Sequence, residues 1–267
     1  MAGKQILASE LIFDSNVIIS QSELSQYHIR IGYQAGETGQ GGSGGYTNDC
    51  IAIGRRAGRT TQNNTSIAIG YQAGMIEQNQ HGIAIGSHAG ENYHNVHSTA
   101  IGYKAGYSSQ NNYAIALGFK AGESGQFANC IAIGNQAGQI SQNAYSTAIG
   151  YKAGESEQFA NCVAIGYKAG QISQESNCIA IGNQAGLTSQ GSNSIVINAT
   201  GFDLGTAIES NTYIAPIFND NLTERFSETP AGVQNPAGYR VYNGDTYGAL
   251  YCNVLTGHMM VFTNNPV

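Results

Sequence analysis

The chain has 267 residues, a formal net charge of −6, 10% charged and 41% hydrophobic residues, 36 glycines and no tryptophan. So few charges, against roughly 25% in ordinary soluble domains, point to surface covered by other copies of the chain or by paired polar side chains. Arg55, Arg56 and Arg59 form the one basic cluster, which disfavours nucleic-acid binding by phosphate neutralisation, and no run of 18 apolar residues offers a membrane-spanning helix.

Residues 1–28 lie outside any repeat. Met1 to Glu10 carry Lys4 but no apolar stretch of the secretory kind, so neither a leader nor membrane insertion is expected. Ile6-Leu7 and Val17-Ile18-Ile19 read as short strands of a cap or attachment segment.

From residue 29 to 201 the chain repeats every 16 residues. Ile67-Ala68-Ile69-Gly70-Tyr71-Gln72-Ala73-Gly74 is followed by Ile83-Ala84-Ile85-Gly86-Ser87-His88-Ala89-Gly90. The first glycine of each word falls at Gly54, Gly70, Gly86, Gly102, Gly118, Gly134, Gly150, Gly166 and Gly182 without a slip. An earlier copy is centred on Gly32, and Thr38 to Tyr46 insert a Gly-rich loop after it. A decayed copy runs Ile195-Val196-Ile197-Asn198. A fixed short period means a solenoid in which each repeat is one coil stacked on the last.

Within a coil the Ile-Ala-Ile word predicts a strand of about five residues. Bulky side chains stand one and three residues before the glycine, and Ala with a small Cys, Ser, Gly or Ala falls on the other face. The expectation is that the Ile face fills the coil and the Ala face meets a neighbouring chain. The two glycines mark corners that need positive φ or close backbone approach. Gln62, Gln78, Gln110, Gln126, Gln142, Gln158, Gln174 and Gln190 recur eight after the glycine, with His94 in place of the ninth, and predict a hydrogen-bonded amide ladder. Cys50, Cys130, Cys162 and Cys178 share one position and read as small, buried, reduced thiols. So thin a coil needs oligomerisation to complete its burial, and three parallel coils around one axis is the economical arrangement.

Ser66-Ile67-Ala68-Ile69-Gly70 with Ala73, and Ser146-Thr147-Ala148-Ile149-Gly150 with Ala153, resemble the head repeat of YadA-type trimeric autotransporter adhesins, a word also found in phage and giant-virus fibres. The resemblance covers residues 29–201. It implies a left-handed parallel β-roll, homotrimeric, used for display and attachment. The adhesin repeats are usually a little shorter than 16 residues.

Residues 202–267 change composition. Pro216, Pro230, Pro236 and Pro266 are all there, and two apolar runs flank a turn at Asn253 to Gly257, predicting antiparallel strands in a small β-rich C-terminal cap. Asn211 to Ile217 with Leu250 to Asn253 resemble a segment near the C-termini of viral fibre proteins. No anchor barrel, stalk or autocleaving domain is read after it.

Little points to chemistry. The six histidines show no paired ligand spacing, no nucleophile elbow or phosphate loop appears, and neither metal, cofactor nor enzymatic activity is expected. Ile-Gly-x-x-Ala-Gly matches the hexapeptide of acyltransferase helices, but those need about three hexads per coil. An ice-binding face would want a fixed exposed Thr column, which is missing.

Two columns could bind. One after the glycine stand Tyr33, Tyr71, Tyr103, Phe119, Tyr151 and Tyr167, with Tyr103/Phe119 and Tyr151/Tyr167 on adjacent coils and able to stack. Two after it stand Lys104, Lys120, Lys152 and Lys168, with Glu91, Glu123 and Glu155 three residues beyond His88, Lys120 and Lys152. The plain reading is a packed aromatic ladder beside a solvated mixed-charge ribbon. The functional reading is a glycan or receptor surface made of Tyr71, Tyr103, Phe119, Tyr151, Tyr167, Lys104, Lys120, Lys152 and Lys168. The expectation is therefore an all-β rod on a virion surface, assembled in the host cytoplasm and held by a capsid or fibre base, that meets a host glycan or surface receptor. The alternative is a capsid or tube cement element that binds no receptor.

Overall fold

The computed structural model describes residues 10–13, 17–22, 26–39, 49–200, 210–215, 249–252 and 259–262. Each 16-residue step returns the backbone to the same place one coil further along. The first strand of a coil is short, as in Cys50–Ile53, Ile67–Ile69 and Ile131–Ile133, and the second ends on the recurrent glutamine, as in Thr60–Gln62, Ser124–Gln126 and Thr188–Gln190. Both stack parallel and in register, with Ala52 opposite Ala68 and Gln142 opposite Gln158. The result is a β-solenoid of two sheets, of fourteen and nine strands among the described residues, whose coil strands are all parallel.

An antiparallel meander of Glu10–Phe13, Val17–Ser22 and Gln26–Ile31 opens the larger sheet, and its last strand pairs parallel with Cys50–Ile53. Val17-Ile18-Ile19 thus lie in a strand as expected, while Ile6-Leu7 fall outside the described residues. So does the Gly-rich loop over 40–48. At the other end Thr212–Ala215 pairs parallel with Ile195–Asn198, carrying the sheet past residue 201. Residues 216–267 form a separate unit, in which Ala249–Cys252 and Met259–Phe262 pair antiparallel as the flanked turn predicted.

The corners explain both glycines. Gly70 has φ 132°, and a Cβ there would lie 2.5 Å from the carbonyl oxygen of Gly86 in the next coil. Gly74 has φ 52°, and its missing Cβ leaves the space that the Gln78 side chain fills. Three further positions per coil are left-handed although they carry ordinary side chains, among them Gln72, Glu77 and His81. Asn129, Asn161, Asn177 and Asn193 occupy the last of these columns, where a short amide tolerates the conformation.

The interior reverses the expected assignment of faces. Ala52, Ala68, Ala84 and their successors are wholly buried inside the coil, beside the glutamines and the small Cys or Ser column. The bulky face points outward, with Ile115 at 37% and Leu117 at 41% exposure. The reason is volume. Most strands are three residues long, not five, so a coil encloses space for methyl groups, thiols and one amide but not for a pair of isoleucines. Large apolar side chains go where the coil is open.

Candidate functional site

Stacking turns each position of the coil into a column, and the columns are the sites. Inside, the glutamine amides form the predicted ladder. Gln126 donates to Gln142, Gln142 to Gln158, Gln158 to Gln174 and Gln174 to Gln190, at 3.0–3.1 Å between Nε2 and Oε1. Each Nε2 also donates to the carbonyl eleven residues earlier, such as Thr147 O at 3.1 Å from Gln158. Every one of these side chains is fully buried, so each bond replaces water that cannot enter.

His94 interrupts the column. It is fully buried, and neither ring nitrogen has a hydrogen-bond partner of normal geometry. Burial pushes its pKa down to about 4, with the Gln110 amide acting weakly the other way. Gly82 makes room for it, since a Cβ at that position would lie 3.1 Å from His94 Nδ1. The four described cysteines are free and buried, as expected. The Cys130 thiol donates to Asn143 O at 2.8 Å and burial pushes its pKa up to about 11, so it is an inert thiol and not a nucleophile.

Outside, the bulky residues run as an unbroken parallel ladder. Ile67, Ile83, Thr99, Ile115 and Ile131 align coil on coil, as do Ile69, Ile85, Ile101, Leu117 and Ile133. The aromatic column lies one residue beyond the glycine corner. Tyr103 stacks on Phe119 (centroids 5.4 Å, planes 17° apart) and Tyr151 on Tyr167 (5.3 Å, 11°), as their adjacency predicted. Both pairs remain exposed. Each lysine reaches over its neighbouring ring: Lys104 Nζ is 5.8 Å from the Tyr103 centroid, Lys120 5.9 Å from Phe119, Lys152 5.9 Å from Tyr151 and Lys168 5.4 Å from Tyr167.

The charged ribbon is paired within coils. Lys120 meets Glu123 at 3.4 Å, Lys152 meets Glu155 at 2.8 Å and His88 Nδ1 meets Glu91 at 2.5 Å. The Glu155 hydrogen bond raises the Lys152 ammonium above its ordinary pKa. Gln139 and Gln171 bond to Glu123 and Glu155 of the preceding coils, so the ribbon is cross-linked along the axis.

A further column is not among those singled out from the sequence. His81 stacks on His97 (4.6 Å, 8°) and His97 on Tyr113 (5.2 Å, 11°), on the left-handed position that carries Asn elsewhere. Their spacing of 16 residues is the signal that could have found it. Among the described residues no group of three His, Cys, Asp or Glu side chains could hold a metal ion, and no helix is long and apolar enough to cross a membrane. No family model, curated protein or solved structure matches this chain.

Proposed function

We propose that the chain is a rigid structural rod that assembles as a homotrimer through its Ile face and serves host attachment at a virion surface. The outward ladder of Ile, Val and Leu carries this reading. A sheet face so apolar, repeated over every coil, is a poor solvent surface and a good subunit interface. Each half-exposed isoleucine moved out of water contributes roughly 1 kcal/mol, and the face holds two bulky positions per coil. In-register coils let three copies bring matching ladders to one axis. The virion setting and the attachment role rest on the resemblance of the repeats to adhesin and fibre heads. Stiffness comes from the stacked backbone ladders, and repeated presentation of the same side chains adds weak contacts by avidity.

The test is the mass in solution together with binding of the intact assembly to an array of host glycans and surface proteins. Three times the 28.0 kDa chain is expected. Ile133→Glu together with Ile149→Glu places charges on the outward face without touching the coil interior, and should give folded monomers. A stable wild-type monomer would overturn the trimer. An intact trimer that binds nothing on the array would favour a cement role over attachment.

A further inference from the structure

The column that carries His81 and His97 runs Thr65, His81, His97, Tyr113 and then Asn129, all left-handed with φ 52–59°. It lies at the corner between the second strand of one coil and the first strand of the next, as between Ile76–Gln78 and Ile83–Ile85. His81 N donates to Asn64 O and His97 N to Gln80 O, at 3.0 Å each, so the two backbones are held alike and the two imidazoles leave them in parallel. Thr65 is a strained choice here, because a β-branched side chain disfavours positive φ. Its hydroxyl has one proton and gives it to Asn64 O at 2.8 Å. The contact with His81 Nδ1, at 2.6 Å, is therefore one that the hydroxyl accepts from an Nδ1–H. That tautomer leaves the lone pair of the neutral ring on Nε2, and a hydrogen bond on the other nitrogen is how metal-binding imidazoles are oriented. On the far side Tyr113 stacks against His97 at 5.2 Å, and both histidines are exposed.

We infer that His81 and His97 clamp one divalent transition-metal ion, of the zinc, nickel or copper class, through their Nε2 atoms. Two nitrogens on such an ion, each about 2.1 Å from it, lie about 3.0–3.4 Å apart. The stacked rings are 4.6 Å apart at their centroids, so a lean of about 1 Å at the outer edges closes the pair. Imidazole nitrogen selects these ions over calcium and magnesium. No third His, Cys, Asp or Glu joins the pair among the described residues, so water takes the remaining positions on the ion. The clamp joins the two coils in which the buried amide series fails. His81 stands three residues after Gln78 and His97 three after His94, and the Gln78 Oε1 and both His94 nitrogens are buried without partners. A bond across the outside of these coils offsets the pairing lost inside them.

Equilibrium dialysis of the untagged full chain at pH 7.5 against zinc or nickel should find one ion per chain, and none when calcium or magnesium is used. Binding should fall as the pH drops to 5, since protons compete for the same nitrogens. His81→Asn and His97→Asn bring in the residue that the column carries at Asn129, so the coil should stand, and each should weaken binding at least tenfold. Thr65→Ala should weaken it about tenfold, and Thr65→Ser should restore it. His88→Gln, at a histidine already held by Glu91, should change nothing. Zinc at ten times its dissociation constant should slow hydrogen exchange through openings that part these two coils about tenfold, and should leave the coils from Gln126 onward as they were. Binding that survives either Asn substitution, calcium bound as well as zinc, or no ion bound at all overturns the site. Binding without slower exchange overturns its role in holding the two coils together.

Discussion

The first four members of the buried column, Gln62, Gln78, His94 and Gln110, and the last five, Gln126 to Gln190, share one backbone and differ in what their amides do. In the last five the amides bond to one another in an unbroken series. In the first four each Gln Nε2 spends itself on two backbone carbonyls, as Gln78 does on Ile67 O (2.8 Å) and Gly82 O (3.0 Å), and Oε1 of Gln62, Gln78 and Gln110 is buried without a partner. A buried acceptor left unpaired costs about 1–3 kcal/mol. The coil geometry therefore does not depend on the amide series. The glycine corners and backbone ladders set the shape, and the side-chain ladder adds stability where it is continuous. The interruption falls where an imidazole replaces an amide.

That contrast can be broken first at the part the two regions share. Gly70→Ala and Gly134→Ala each force a side chain onto a φ near 130° and a Cβ to 2.5 Å from a carbonyl oxygen of the next coil. Both should cost about 3 kcal/mol or more, and equally, because the corner is the same. Local amide hydrogen exchange is the proper measure, since an array of coils need not unfold as one unit. A corner that tolerates alanine in one region only would show that the shared backbone is not what holds both.

The next largest effect should separate the regions. Gln158→Leu removes three bonds, its own to Thr147 O and to the Gln174 amide oxygen and the one it accepts from Gln142, whereas Gln78→Leu removes two, to Ile67 O and to Gly82 O, together with an oxygen that was already orphaned. Coils around residue 158 should lose about 1–2 kcal/mol more protection than coils around residue 78. Equal losses would mean that the continuous amide series contributes nothing beyond its individual bonds.

Much of this architecture is legible in the amino-acid sequence. The period gives the coil, the two glycines give the corners, and a glutamine that never varies except once gives a ladder. The face assignment is not legible from apolarity alone. Isoleucine outranks alanine in hydrophobicity, which argues for placing it inside, yet the deciding quantity is the volume of a coil with three-residue strands. The invariant glutamine points the other way, because an amide so constant is one that cannot meet water, and the small column beside it belongs with it. The stack of His81, His97 and Tyr113 becomes readable only when residues 16 apart are set in one column. The two-carbonyl and amide-to-amide states of the glutamines are invisible in sequence, because the same residue type adopts both.

The most local effect concerns His94. Its folded pKa of about 4 lies below the ordinary histidine value near 6.5, so the folded coil holds the neutral ring and the unfolded chain takes up the proton first. Stability is then full above pH 6.5, declines as the pH falls from 6.5 towards 4, and levels off below that, with an order-of-magnitude loss of about 3 kcal/mol at the most. Gln78, Gln110, Gly82 and Gly90 lie against the ring, and no carboxylate among the described residues compensates its burial. His28, buried in the strand Gln26–Ile31, is shifted in the same direction by burial first and Arg30 second, and adds a second acid-sensitive point on the same side of the break. Hydrogen exchange at pH 7 and pH 4.5 should therefore loosen the coils flanking residue 94 and leave those from Gln126 to Gln190 protected. His94→Gln with Gly82→Ser restores the pair that neighbouring coils carry and should flatten the pH response of those coils while the His28 end keeps its own. If the loosening at pH 4.5 is spread evenly over all coils, or survives the double substitution at residue 94, the imidazole is not the acid-sensitive joint and the two regions differ in their amides alone.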